Sequence, residues 1–416
     1  MKAILVTAFV SYEPRLRLVK STLESLGVTC QVLTTDFDHR AKAQRTTIPS
    51  GFTALATRPY ASNISLARVL SHRNFARKVF GTIEKEKPDL LYVLVPPNSL
   101  ADEAARYKVG HPHVKLIFDV CDLWPEALPR PLLKKALFPA MALWRLMRDA
   151  SIPKADLILT ECDLFQQKAS LKNAETVYLC ASDAGSVLAP RIKTDVVELA
   201  YLGSINNILD IGRTEQFVRE VTKEIPVCLH IIGTGERKDE FLFALNRAGA
   251  QLIDYGPVYE EAKKAEIFSR CRYGINIMRH GVLVGLSMKS IDYLKFGLPL
   301  INSLAGDTER IVRDEGVGVN LTESTAHRVA TESQLDLYEA RARARALFES
   351  TFSLVAVRER MTLILNEFLS WGGGELTLLT VGRAVKKVLF RLFKFDFRNV
   401  KQVRSYRKLQ PDFQVN

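Results

Sequence analysis

Short apolar runs without polar alternation recur along the chain, and helical patterns separate them. Residues 1–10 (MKAILVTAFV) read as a first strand and Cys30–Thr34 (CQVLT) as a second. Between them Arg15–Leu26 reads as an amphipathic helix that Gly27 ends. Asp89–Val95 (DLLYVLV), His113–Val120 (HVKLIFDV) and Asp156–Thr160 (DLILT) continue the series, and Ile64–Lys85 carries a long helical pattern. Strands buried on both faces and alternating with helices imply a parallel sheet. Residues 1–180 are therefore expected to form one doubly wound α/β domain.

A second series follows. Val196–Leu202 (VVELAYL) precedes Gly203 and Ser204, and Val227–Ile232 (VCLHII) precedes Gly233-Thr234-Gly235. Gln251–Tyr255 precedes Gly256-Pro257, and Tyr273–Met278 (YGINIM) is a fourth strand. Residues 194–352 are expected to be a second Rossmann-like domain, and 416 residues suffice for two cores. In such sheets ligands bind beyond the carboxyl ends of the strands.

The sharpest stretch is Gly285–Asn302, GLSMKSIDYLKFGLPLIN. Ser287 is an N-cap for a helix from Met288 to Phe296, Gly297 supplies the left-handed stop, and Pro299 prevents continuation. Lys289 and Asp292 share a helix face. A cation in the first turn opposes the macrodipole, a conflict that a bound phosphate would remove. Loop, helix with Lys and acid, Gly-x-Pro and strand together resemble the donor-site helix of GT-B glycosyltransferases, family 4 above all. The resemblance implies that Lys289 holds the diphosphate of a nucleotide-sugar and Asp292 the ribose. Many members carry two glutamates at a spacing that puts Val284 here at the first and Asp292 at the second. The shorter form of the motif is similar to bacterial surface-polysaccharide members.

The same resemblance assigns further donor residues. Gly203 and Ser204 would form the first donor loop, with Arg213 as its nearest cation, and Gly233 and Gly235 the strand-then-glycine turn. Tyr255, Gly256 and Val258 would pack on the nucleotide base, and Arg279 would lie under the donor sugar. Residues 353–371 would be the helix that crosses back to the first domain.

In the first domain, Asp119-Val120-Cys121-Asp122-Leu123-Trp124-Pro125-Glu126 ends a strand where a cleft would open. It resembles a segment of members that build polysaccharides on lipid carriers. Asp122 and Glu126 are the candidates to orient acceptor hydroxyls and Trp124 to stack on a sugar, while the bland reading is a capped helix start. Asp119 and the loop at Asn98 complete the acceptor set. Asp36-Phe37-Asp38, beside His39, reads as a solvated turn or acceptor contact rather than a metal mark.

The six cysteines are scattered without a Cys-x-x-Cys pair, which argues against zinc or disulfides. The apolar start reads as a strand rather than a signal peptide, and no run is long enough to span a bilayer. The +12 formal charge favours anionic partners. Beyond Gly372-Gly373-Gly374, residues 376–408 interleave an apolar stripe with basic residues, as in a helix lying on an anionic membrane. Leu132–Arg148 is a second candidate of that kind, broken by Pro139, with an ordinary buried helix as the alternative.

The resemblance thus implies a retaining, metal-independent hexosyltransferase with no cofactor, the nucleotide-sugar being a substrate. It would act on a lipid-linked saccharide acceptor at the cytoplasmic face of a membrane. Inversion would instead need a base such as Asp119, Asp122 or His72. The competing readings are a nucleotide-sugar 2-epimerase of the same fold and a basic membrane- or RNA-binding protein; nucleic-acid motifs are absent.

Overall fold

The computed structural model describes residues 1–128, 138–183 and 188–370. Parallel pairing dominates because the central strands are buried on both faces and successive strands are joined by crossovers. The first sheet holds β1 (Lys2–Val6), β2 (Thr29–Thr35), β3 (Phe52–Leu55), β4 (Leu90–Val95), β5 (Lys115–Val120), β6 (Leu157–Thr160) and β7 (Ala174–Thr176). They lie in the order β3-β2-β1-β4-β5-β6-β7. Register runs from Ala3 opposite Cys30 and Leu90 to Thr160 opposite Thr176. Helices α1 (Glu13–Ser25), α2 (Leu66–Glu86), α3 (Asn98–Gly110), α4 (Phe138–Ser151) and α5 (Asp163–Lys168) make the connections.

The second sheet repeats the plan with β8 (Val197–Leu202), β9 (Val227–Ile232), β10 (Gln251–Gly256), β11 (Tyr273–Asn276), β12 (Leu300–Asn302) and β13 (Gly318–Asn320). Its order is β10-β9-β8-β11-β12-β13. The order reverses direction between β8 and β11, so their connections leave on opposite sides and open a crevice at the carboxyl ends. Helices α6 (Ile211–Thr222), α7 (Lys238–Arg247), α8 (Glu261–Arg270), α9 (Met288–Lys295), α10 (Asp307–Glu315), α11 (Thr325–Thr331) and α12 (Gln334–Leu347) follow, and α12 runs into a π-turn at Phe348–Phe352. Helix α13 (Leu354–Ser370) comes last. Met1–Thr362 make up one compact unit. Arg360 reaches Glu175 on β7 at 2.5 Å, so the start of α13 returns to the first sheet. The tail 376–408 lies outside the described residues. No described helix is long and apolar enough to cross a membrane.

Two local devices fix the donor-side helix. Ser287 caps α9 by accepting from the Ser290 amide at 3.3 Å, and Gly297 stops it at φ +64°. Tyr293 then lies flat on β11. Its hydroxyl accepts from the Leu202 amide at 2.7 Å, and a Cβ on Gly274 would stand 2.6 Å from its ring. Glycine at 274 is therefore a packing requirement. Gly274→Ala should destabilise the fold by about 1–3 kcal/mol, the usual cost of overpacking a rigid core. Chemical denaturation measures this; an unchanged midpoint would show that Tyr293 can yield.

Candidate functional site

The crevice of the second sheet is flanked by Tyr201 at the end of β8 and by the first turn of α9. Lys289 places its ammonium 4.8 Å from the centre of the Tyr201 ring. It has no carboxylate partner among the described residues. Burial alone lowers its pKa to about 8, because the recessed cation has lost water and gained no counter-ion. Asp292, one turn on, is half-buried. Burial raises its pKa, against the pull of Lys264 and Lys295. Lys295 stays 3.8 Å away, so the carboxylate of Asp292 is held loosely. The helix thus sets a recessed cation and a loosely held carboxylate one turn apart.

The glycine loops act differently from the expectation that their amides would grip phosphate. The Gly203 amide donates to Ile232 O at 2.9 Å and the Gly233 amide to Gly256 O at 2.8 Å. A Cβ on Gly233 would meet Gly203 O at 2.0 Å, and one on Gly235 would meet Ile205 O at 2.2 Å. These glycines let three loops stitch together, and the stitching uses the amides. The Gly203 face itself is open, and Ser204 beside it is exposed. Arg213 is exposed and reaches Leu321 O at 3.5 Å. The Arg279 side chain is exposed as well. Tyr255 turns its hydroxyl to His230 at 3.0 Å, part of a chain that ends on Glu198, and Val258 packs against the core. The Ser287 hydroxyl is occupied by the cap. Of the residues expected on the donor side, Lys289 and Asp292 are the two that α9 sets one turn apart beside Tyr201.

On the first domain the structure reassigns several acids. Asp119 is fully buried; Arg15 donates to it from Nε at 2.6 Å and Nη2 at 2.9 Å, and Tyr92 from its hydroxyl at 2.6 Å. It holds α1 to the sheet and offers no surface to an acceptor. Glu126 takes both guanidinium nitrogens of the buried Arg148, at 2.7 and 2.9 Å. It therefore locks the loop to α4 rather than standing free as a catalytic acid. Asn98 is buried at the start of α3, where a loop was expected, and donates to Trp124 O and Trp144 O. One face of Trp124 lies under Arg68, 5.1 Å from the ring centre, so that face is closed to a sugar. Asp38 caps its own turn by accepting from the Arg40 amide, and Asp36 accepts from the Thr57 amide, 21 residues on. His72 is walled in by Phe9 and Tyr60, and burial lowers its pKa to about 3, which leaves it a neutral core imidazole.

Asp122 stays in the cleft. It accepts from the Trp124 indole at 2.9 Å and from the Leu123 amide, and burial raises its pKa to about 6. Beside it stands a residue the sequence reading passed over. Glu161 follows β6 directly, and its Oε2 has no hydrogen-bond partner. Burial lifts its pKa to about 8; Arg15 draws it down, and Asp122 and Asp119 push it up. Its place just past a strand's carboxyl end was the available signal, the same one that singled out Asp122. Two carboxyls with separated pKa values in one cleft can hold a proton and a charge side by side. No group of three or more His, Cys, Asp or Glu among the described residues could hold a metal ion.

The two domains meet through Asp307, which is 1% exposed. It accepts from the Asp163 and Leu164 amides at 2.9 and 2.8 Å and from the Tyr178 hydroxyl at 2.9 Å. Gly285 packs into the same seam; a Cβ there would lie 2.7 Å from both Asp307 Oδ2 and Cys162 Sγ. The strap that carries Lys289 therefore starts at the domain junction.

No family model and no curated protein matches the sequence. In fold the chain is similar to a lipopolysaccharide outer core galactosyltransferase, WaaB, in its apo form: 15% identity, TM-score 0.61, covering 88% of this chain and 100% of that one. It is similar to Anabaena HepE in complex with UDP, at 13% identity and TM-score 0.60, covering 88% and 100%. A trehalose-6-phosphate structure from E. coli bound with UDP-2-fluoro glucose matches at 7% identity and TM-score 0.60, covering 89% and 99%. The chain has the fold of GT-B glycosyltransferases, two Rossmann-like domains facing a cleft.

Lys289→Ala should weaken nucleoside diphosphate binding about ten- to a hundredfold, the span expected for a lost charge-assisted hydrogen bond. Wild-type affinity should fall as pH rises through about 8, where the free ammonium loses its proton. Calorimetry across pH 6.5–9.5 (~ three units around the pKa) checks both; affinity flat with pH would remove Lys289 from the anion site. Glu161 has the opposite sign. Its folded pKa lies above the ordinary 4.5, so its ionisation opposes folding increasingly from about pH 4.5 to about 8. Glu161→Gln should therefore raise Tm clearly at pH 9 and little at pH 5. Equal shifts at both pH values would mean that the carboxyl is ordinarily solvated.

Proposed function

We propose that the chain is a glycosyltransferase. It moves a hexose from a nucleotide-sugar to a lipid-linked saccharide acceptor in bacterial surface-polysaccharide synthesis, with retention of configuration and without a metal or other cofactor. The observation that carries the reading is Lys289, a recessed cation that rests on the Tyr201 ring at the switch-point crevice and has no counter-ion among the described residues. Leaving such a charge unpaired is costly, and the departing diphosphate is the group that would pair with it. The loosely held carboxylate of Asp292 suits the ribose hydroxyls. The similar folds include proteins described as a galactosyltransferase and as complexes with UDP or UDP-glucose, which supports a nucleotide-sugar donor.

In the retaining reaction the acceptor hydroxyl attacks from the face that the diphosphate leaves, and the diphosphate takes its proton. The protein then has to stabilise the leaving charge, orient the acceptor and exclude water. Lys289 does the first. Asp122 and Glu161 accept and donate to acceptor hydroxyls from the first domain. We place the enzyme at the cytoplasmic face of the plasma membrane, with residues 376–408 on anionic lipid. Family 4 membership and the surface-polysaccharide role rest on the short helix motif around Lys289 and Asp292.

Calorimetry with UDP, GDP, ADP and dTDP, with and without manganese, tests this first. Selective, manganese-independent binding of one nucleotide is expected, followed by sugar transfer only when acceptor is added. Turnover of the nucleotide-sugar without acceptor would favour the epimerase, and no binding of any nucleotide would overturn the donor site.

A further inference from the structure

A cluster of cations and imidazoles at the carboxyl edge of the first sheet has no part in the transfer step. Phe9 follows β1, His39 follows β2 and Trp124 follows β5, while Arg68 and His72 lie in the first two turns of α2. Tyr60 comes from the segment before α2. Centre to centre, Phe9 stands 4.8 Å from His39 and 5.4 Å from His72, and Tyr60 stands 5.8 Å from His72. Arg68 is set among three rings, its guanidinium carbon 5.1 Å from the centre of Trp124 and 6.0 Å from those of Phe9 and Tyr60. The Lys42 ammonium lies 4.7 Å from the Tyr60 centre. Aromatic faces hold such cations in place without neutralising them.

What the cluster lacks is an acid. From His39 to Ile83 the chain holds no Asp or Glu. Lys42 and Arg68 are half-buried, and neither forms an ion pair among the described residues. Lys42 donates to His39 O at 2.5 Å and to Asn63 Oδ1, and Arg68 to Asn63 O at 2.8 Å, all uncharged acceptors. Asp38 and Asp122 draw on the two cations only from a distance. Asp38 is engaged by the Arg40 and Ala41 amides, and Asp122 by the Trp124 indole. Two imidazole nitrogens, His39 Nδ1 and His72 Nε2, are buried with no hydrogen-bond partner, and His72 as a whole is 6% exposed. Burial lowers the pKa of all four groups, His39 to about 4 and His72 to about 3. A buried water would satisfy the imidazoles and still leave Lys42 and Arg68 without a counter-ion.

We propose that this cluster is a subsite for a carboxylate-bearing sugar of the acceptor, so that the enzyme extends an acidic saccharide. The carboxylate supplies the counter-ion that Lys42 and Arg68 both lack and an acceptor for an imidazole N–H. A carboxylate suits the place better than a phosphate. Arg68 sits between aromatic walls, where a planar anion can share the guanidinium plane through two parallel hydrogen bonds, whereas a tetrahedral one needs room on either side. Asp122 borders the cluster through Trp124, so a sugar anchored here by its acid group presents its hydroxyls to Asp122. The inference rests on the first domain being the acceptor side and is independent of Lys289.

Imidazole NMR of the full, histidine-labelled chain tests it, with the His39 and His72 signals assigned through His39→Gln and His72→Gln. The chain is titrated with methyl β-glucuronide, methyl β-glucoside and glucose 6-phosphate, and UDP binding is measured on the same samples by calorimetry. The glucuronide should shift both signals saturably and raise the His39 pKa, because a carboxylate favours the charged imidazole. The glucoside, its neutral counterpart, should move neither. Arg68→Gln and Lys42→Gln should each weaken the glucuronide about tenfold or more, with Tm and UDP affinity unchanged. An equal response to the glucoside would overturn the proposal, and tighter binding of glucose 6-phosphate would replace the carboxylate with a phosphate. No response to any of the three sugars in a chain that binds UDP would remove the subsite and leave the donor reading intact. A glucuronide response in a chain that fails to bind UDP would support the subsite and overturn the donor reading alone.

Discussion

The relation between the two halves depends on one buried carboxylate. Asp307 starts α10 in the second domain, yet it takes two amides at the start of α5 in the first. Those amides lack partners inside their own helix, and the carboxylate has no solvent. Neither side can leave without stranding buried polar groups, each worth about 1–3 kcal/mol. Arg310 reinforces the junction by reaching Asp163 at 2.7 Å. Gly285 has to be a glycine for this seam to close, and it opens the strap that ends in Lys289. The position of Lys289 is thus tied to the domain junction rather than to the second domain alone.

The architecture was legible because it rests on local signals. Most uninterrupted apolar runs became strands within a residue or two, Val227–Ile232 as read and Leu90–Val95 for Asp89–Val95, while the first, expected over 1–10, stops at Val6. Ser287, Gly297 and Pro299 marked the ends of α9 because capping and positive φ are short-range chemistry. The alternation of Phe52–Leu55 was too weak to announce the edge strand β3.

The acids were legible as a group and not one by one. Asp119, Asp122, Glu126 and Glu161 all sit just at or past strand ends. What separates them is where a guanidinium lands. Arg15 comes from 104 residues away to neutralise Asp119, and Arg148 from 22 residues away to neutralise Glu126. Nothing in the neighbouring sequence records those pairings. Asp122 and Glu161 are left without such a partner, and burial raises the proton affinity of both. The glycines mislead in a related way: Gly233 and Gly235 look like phosphate binders but are required by the close approach of two backbones.

The charge pattern across the cleft then follows from these pairings. The first domain satisfies its deep acids with arginines and leaves two carboxyls poised. The second leaves one lysine poised, while other cations lie at the surface, in ion pairs such as Lys295 with Glu261, or on backbone carbonyls as Arg272 does. Between them a transferring sugar would pass from a cationic wall, which favours a leaving anion, to a carboxyl wall, which favours a hydroxyl at its hydrogen-bonding angle. Water in that gap would weaken both walls, because it would solvate the lysine and the carboxyls independently. Lys289 and Glu161 are both half-buried, and burial moves the proton affinity of each toward its neutral form.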